Sequence, residues 1–210
     1  MKQKKVLDSL RAENFNFKKK YGQNFIFDEN ILKNIVSKIA ITKKDLVLEV
    51  GAGSGSLTKL LAREAKKVIT YEIDEKLATV LESNLAKEKI NNVEIKYQDF
   101  LKIDFAEYAN TKKEYQNIIL IGNLPYVITS PLLFKILHEG NIIDKMLLMV
   151  QKEVAMRILA KPRTKEYNAT SVLLQYFFQI KNLLLCNLGN QNQMFGNSQH
   201  GHPKGSRLRC

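Results

Sequence analysis

Leu46-Val47-Leu48-Glu49-Val50-Gly51-Ala52-Gly53-Ser54-Gly55 is the stretch on which the fold turns. Its first five residues, mostly apolar, read as a buried strand, and three glycines at alternate positions read as a tight turn that lets backbone approach a ligand closely. Ser56-Leu57-Thr58-Lys59-Leu60-Leu61-Ala62-Arg63 follows with helical spacing. Strand, glycine turn and helix in that order make the nucleotide-binding corner of an α/β sheet. The spacing G-x-G-x-G departs from the dinucleotide fingerprint G-x-G-x-x-G, and the acidic Glu49 precedes the turn. Alone, the stretch also fits a glycine-rich connection with no ligand.

The residues downstream narrow that choice. Lys67-Val68-Ile69-Thr70-Tyr71-Glu72 reads as a second strand ending in a carboxylate, about twenty residues past the first glycine, where an α/β nucleotide site accepts hydrogen bonds from two ribose hydroxyls. A solvated strand-end acid is the plainer alternative. Asp74 is placed to cap a helix with the buried stripe Leu77, Val80, Leu81 and Leu85. A third strand, Val93 to Gln98, ends at Asp99-Phe100, an acid and an aromatic that could bond an adenine amino group and flank its ring. Asp99 could instead cap a turn.

The fourth strand, Ile118-Ile119-Leu120-Ile121-Gly122, runs into Asn123-Leu124-Pro125-Tyr126, the most specific chemical signal in the chain. The amine on a base is a poor nucleophile because its lone pair is delocalised into the ring. An Asn oxygen and a neighbouring backbone carbonyl can accept its two hydrogens and favour a pyramidal nitrogen aimed at an electrophile. Proline stiffens that backbone, and tyrosine offers a flat face for the base. No strong general base is needed, since the proton can leave once the nitrogen is cationic. A helix from Pro131, a fifth strand Met146 to Val150, a helix over 151–158 and a basic loop Lys161 to Lys165 follow. Leu173, Leu174, Phe177 and Phe178 suit a last buried helix with its aromatics in the core, and His138 reads as a surface residue.

Length and composition fit this reading. The 210 residues suit one α/β domain with a short appendage, and 45% hydrophobic content agrees with a folded core. No apolar run approaches a membrane span of about 18 residues and no secretory leader opens the chain, so a cytoplasmic protein without membrane contact is expected. A net charge of +12 favours a polyanionic partner, nucleic acid first, against a merely solvated basic surface. Residues 1–20 carry seven cations against Asp8 and Glu13 and read as a basic arm. Tyr21 to Phe27 form a polar-aromatic loop before a helix capped by Asp28, with Ile31, Leu32, Ile35, Val36 and Ile39 on one face. Cys186 and Cys210 suggest neither a disulfide framework nor a metal site.

Taken together, Gly22-Gln23-Asn24-Phe25, Glu49 to Gly55, Glu72-Ile73-Asp74, Asp99-Phe100, Asn123-Leu124-Pro125-Tyr126 and Gln151-Lys152-Glu153-Val154-Ala155 resemble the small-subunit ribosomal RNA adenine dimethyltransferases, the kasugamycin-resistance methyltransferases of bacteria. The resemblance covers roughly residues 17–184. It is closer than that to the resistance methyltransferases of large-subunit RNA, because Lys165-Glu166-Tyr167 leads into Ser171-Val172-Leu173-Leu174. It implies a Rossmann-like S-adenosylmethionine-dependent methyltransferase sheet, acting as a monomer on N6 of two adjacent adenines near the 3′ end of small-subunit RNA in a pre-ribosomal particle. By motif, Asn24 and Ile26 would edge the cofactor, Gly51 would approach its methionine part, Glu72 would hold the ribose and Asp99 the adenine. Asn123 would lie between methyl group and target amine, with Pro125 beside it and Tyr126 stacking on the flipped base. The basic arm and loop would hold phosphates while RNA shape gives selectivity.

Two departures stand out. Asn168 replaces the glycine usual after the tyrosine, a change that left-handed backbone tolerates. From about Leu185 the resemblance ends, and a polar, aperiodic sequence replaces a Phe-x-Pro-x-Pro motif, a last strand and a C-terminal helical domain. The organisation expected is therefore an arm over 1–20, a catalytic domain over 21–185 lacking the last strand and the helical domain, and a divergent, disordered tail over 186–210 of frameshifted or truncated origin. The apolar edge of Met146 to Val150 would then need the sixth strand or the tail to cover it. A non-catalytic fragment that binds cofactor and RNA is the rival function. A nicotinamide-dependent oxidoreductase is disfavoured by the glycine spacing. His200, His202 and Cys210 read as an accident of composition rather than a metal site.

Overall fold

Five strand segments spaced along the sequence become the parallel strands of one sheet, four of them mainly buried and the edge strand Val93–Lys96 half-buried, because each is followed by a crossover long enough to return the chain in the same direction. A computed structural model describes residues 28–186 and 192–198. The basic arm, Asn24, Ile26, His200, His202 and Cys210 lie outside them.

Helix α1 (Glu29–Ile39) opens the described chain, capped by Asp28, whose Oδ1 accepts from Asn30 N at 2.9 Å. Strand β1 (Leu46–Val50) leads through the glycine turn into α2 (Ser56–Glu64), then β2 (Lys67–Tyr71), α3 (Ala78–Lys87) and β3 (Val93–Lys96). Three short 3-10 turns precede β4 (Ile118–Asn123), followed by α4 (Tyr126–Glu139), β5 (Lys145–Gln151), α5 (Lys152–Ile158), α6 (Ala169–Phe177), β6 (Gln179–Cys186) and β7 (Asn192–Ser198). The sheet order is β3-β2-β1-β4-β5-β7-β6, with β1 to β5 parallel and β7 antiparallel to both neighbours.

Alternation along the strands splits the core in two. Leu46, Leu48, Val50, Ile118 and Leu120 face α4, α5 and α6, whereas Val47, Ile119 and Ile121 face α1 and α2. Strand order reverses at β1 and β4, so the loops after these two strands diverge and leave a crevice at their carboxyl ends.

Three sequence-derived expectations change. Helix α4 starts at Tyr126, not Pro131, and carries that proline inside it. As the sixth residue of the helix, Pro131 has no N–H to give to the carbonyl four residues back, so α4 forgoes that one bond. On α6, Leu174 is buried but Leu173 and Phe177 are 40% and 45% exposed, because only one stripe of this helix meets the sheet. The third change concerns the tail, expected to be disordered but also offered as one cover for the apolar edge of β5. Asn192–Ser198 form β7, seven residues in register with β5 from Lys145↔Ser198 to Gln151↔Asn192. Main-chain pairing asks for no particular side chains, so a polar aperiodic segment can take the edge that β5 offers.

At the opposite end of the sheet Asp45, fully buried, organises the loop before β1. Its Oδ2 accepts from Thr42 N and Thr42 Oγ1, both at 2.8 Å, and its Oδ1 from Asn117 Nδ2 at 2.7 Å. Asp45→Ala strands all three donors and is expected to cost about 3 kcal/mol. Urea denaturation checks this through a lower midpoint at unchanged slope, and a midpoint equal to the native one would refute it.

Candidate active site

Gly51, Gly53 and Gly55 all adopt left-handed backbone, with φ of 80°, 55° and 79°. Two of them need glycine for further reasons. A Cβ at Gly55 would lie 2.6 Å from Leu81 Cδ1. At Gly51 nothing lies within 4 Å of where a Cβ would stand, so bare backbone faces the cavity at this point. Gly51 N–H donates to Tyr71 O at 2.8 Å, which ties the start of the turn to the end of β2.

Glu72 locks the rest of the turn. Its Oε2 accepts from Gly53 N at 2.9 Å, and its Oε1 from Ile73 N at 2.8 Å and Asp74 N at 2.9 Å. At 5% exposure this is a buried carboxylate and not a solvated strand-end acid. Burial pushes its pKa up against the opposing pull of the three backbone donors. A carboxylate offers about four acceptor positions. A grip on two ribose hydroxyls would therefore have to share Oε2 or displace a backbone donor.

Asp99 does two things at once: its Oδ1 caps a 3-10 turn by accepting from Leu101 N at 2.9 Å, and the residue lines the cavity. Phe100 belongs mostly to the core, edge-on to Tyr71 at 5.0 Å and 84°. Asn123 ends β4 opposite Met149 of β5, and Leu124 N–H donates to Met149 O at 2.9 Å. The Pro125 carbonyl is taken up by α4, accepting from Ile128 N at 3.2 Å and Thr129 Oγ1 at 2.9 Å.

Gly51, Glu72, Asp99, Asn123 and Pro125 line one cavity of about 350 Å³. Tyr126, 61% exposed, is not among the lining residues. Sequence reasoning missed Ile73, Gln98 and Val127, which also line it. Ile73 and Val127 carry a usable signal. They are apolar, they directly follow a site residue in sequence, and they are 50% and 62% exposed where an isoleucine or valine would ordinarily be buried.

Behind the turn sits Glu49, fully buried on the α2 face of β1. Thr58 Oγ1 donates to its Oε2 at 2.7 Å, while Glu49 Oε1 and Thr70 Oγ1 have no hydrogen-bond partner among the described residues. Loss of solvation raises its pKa to about 7, with Thr58 and, more weakly, the nearby Thr70 hydroxyl favouring the charged form and Glu72 opposing it. Among the described residues no group of three or more His, Cys, Asp or Glu could hold a metal, and no helix is long and apolar enough to cross a membrane.

The sequence pattern of the family described as "Ribosomal RNA adenine dimethylase" matches residues 14–188. The chain belongs to this family. Among curated members, the Ribosomal RNA small subunit methyltransferase A of Lysinibacillus sphaericus is 47% identical over 169 residues, covering 80% of this chain and 57% of the relative. Its namesake in Aster yellows witches'-broom phytoplasma is 49% identical over 167 residues, covering 79% and 60%. The chain thus spans less than two thirds of the length of the family members it matches. A dimethyladenosine transferase from Plasmodium falciparum has the same fold, with a TM-score of 0.75 at 27% identity over 84% of this chain and 64% of that one. The family match extends over Asn24 and Ile26 as well as the glycine turn and Asn123.

Glu49 makes stability depend on pH. Its folded pKa lies above the unfolded value, so between about 4.5 and about 7 the folded state holds the extra proton, and stability falls as pH rises through that window. Glu49→Gln, neutral throughout, should be more stable than the native chain by about 2–3 kcal/mol near pH ~8 and nearly equal to it near pH ~5. Urea denaturation at both values measures this, and a pH-independent difference would refute it.

Proposed function

We propose that the chain transfers methyl groups from S-adenosylmethionine to N6 of adjacent adenines near the 3′ end of small-subunit ribosomal RNA, as a cytoplasmic monomer acting on a pre-ribosomal particle. The observation that carries this reading is the meeting of Asn123 with Glu72, Asp99 and Gly51 in one cavity. Exposed backbone at Gly51, a buried acid at Glu72 and a capped acid at Asp99 suit the methionine, ribose and adenine parts of such a cofactor. Asn24 and Ile26 would complete its edge from residues outside the described structure. When bound, S-adenosylmethionine supplies an electrophilic methyl group on a sulfonium.

The remaining work falls to the chain's own residues. Asn123 Oδ1 would accept one N6 hydrogen. Because the Pro125 carbonyl is already engaged by α4, the second acceptor is assigned to the Leu124 carbonyl. Both acceptors stabilise the pyramidal amine and the positive charge that develops on it. Tyr126, 61% exposed and set in the chain between the lining residues Pro125 and Val127, would stack on the extruded base. Proton loss then needs no dedicated base.

One observation favours a second reading, cofactor and RNA binding without turnover: Tyr126, the residue expected to stack on the base, is not among those lining the cavity. Transfer of labelled methyl to unmethylated small-subunit particles separates the two. The first reading expects incorporation at N6 of adenine, with Asn123→Ala slower by about 10²–10³-fold. Background incorporation by a chain that still binds the cofactor would leave only the second, and an undiminished rate for Asn123→Ala would overturn the chemistry.

A further inference from the structure

Helix α6 carries no charged residue, and it turns a stripe of large apolar side chains outward. Ser171 and Leu174 are buried beneath it, while Val172, Leu173, Tyr176 and Phe177 are 46%, 40%, 69% and 45% exposed. A helix on the surface of a sheet protein ordinarily shows water a polar face. Here the Tyr176 and Phe177 rings pair edge to face at 5.0 Å and 88°, in the open.

The segment leading into α6 is as unusual in charge. Lys152, Arg157, Lys161, Arg163 and Lys165 have no ion-pair partner among the described residues, against only Glu153 and Glu166 in the same stretch. Arg163 stands at φ 71°, in the left-handed region that side chains rarely adopt, beside a turn in which Lys161 O accepts from Thr164 N and Thr164 Oγ1. The basic segment and α6 are packed side by side: Ser171 Oγ donates to Arg157 O at 2.5 Å and Gln175 Nε2 to Ile158 O and Ala160 O at 2.8 Å. The segment starts close to the cavity in sequence: Lys152 comes three residues after Met149, which lines the cavity and pairs with Asn123.

We propose that the outer face of α6 and the cations of 152–165 form a landing surface for a single RNA strand, its phosphates on the cations and its unstacked bases on Tyr176 and Phe177. This rests on the RNA reading given above and extends it to a surface beyond the cavity. A protein partner would explain the apolar stripe but not five unpaired cations beside it, whereas exposed rings interleaved with cations are what unpaired RNA requires.

The test is fluorescence anisotropy with a labelled, unstructured RNA of about 15 nucleotides and a duplex of equal length. Tyr176→Leu/Phe177→Leu keeps the helix and its apolar bulk but removes the rings. It should bind the single strand about tenfold more weakly at unchanged salt dependence, with duplex binding unaffected. Lys161→Ala/Arg163→Ala/Lys165→Ala should lower the salt slope by about 2. An aromatic variant that binds single-stranded RNA like the unaltered chain overturns the proposal, and if the unaltered chain also self-associates in sedimentation the stripe is a protein interface. Failure of the unaltered chain to bind either RNA would instead remove the RNA reading itself, and this surface with it.

Discussion

Everything at the cavity depends on how one carboxylate is held. Glu72 accepts three backbone N–H groups, one from the glycine turn and two from its own strand end, and so fastens the β1–α2 corner to the tip of β2. Each charge-assisted bond of this kind contributes about 1.5–3 kcal/mol, which offsets part of the cost of burying the charge and leaves the pKa raised. One of these bonds holds Gly53, while Gly51 N donates to Tyr71 O and Gly55 N to Ala52 O, and all three glycines of the turn so held are left-handed. A looser corner would leave the walls present but wrongly spaced, and positioning within about half an ångström is what such sites require.

The electrostatics of the inside and the outside are opposed. The chain as a whole carries +12. Its cavity wall nevertheless bears Glu72 and Asp99, with Glu49 buried behind. Desolvation raises the pKa of both glutamates, and like charges add to it, Glu72 at Glu49 and Asp74 at Glu72. A cation entering the cavity relieves that repulsion, while a polyanion is drawn to the exterior. A small cationic ligand and a large anionic one are in this way directed to different places on the same molecule.

Much of this arrangement was legible in the sequence, for reasons that differ by residue. Strand β1 is placed residue for residue because four apolar residues and one acid run up to a glycine, and the helix stripe Leu77, Val80, Leu81, Leu85 is buried as its spacing requires. Gly51, Glu72, Asp99, Asn123 and Pro125 converge because parallel strands present their carboxyl ends on one side, so strand-end residues share a crevice whatever lies between them. Periodicity says less where a helix meets the sheet with only one stripe, which is why the exposure of Leu173 and Phe177 went unread. Pro131 misled for a related reason: proline marks helix starts statistically, but the capped first turn of α4 had already formed upstream of it. The engagement of Glu72 by three backbone donors was out of reach, since hydrogen bonds to main chain leave no trace in composition.

Strand β7 lies between β5 and β6, so β6 reaches the sheet only through residues that come later in the chain. During synthesis β6 would leave the ribosome before any neighbour existed for it to zip against, docked by its preceding helix alone. The five parallel strands can assemble as each emerges, but the far margin of the sheet must wait for Asn192–Ser198 to slot in between. That side of the molecule is completed last, and two strands depend on a single insertion.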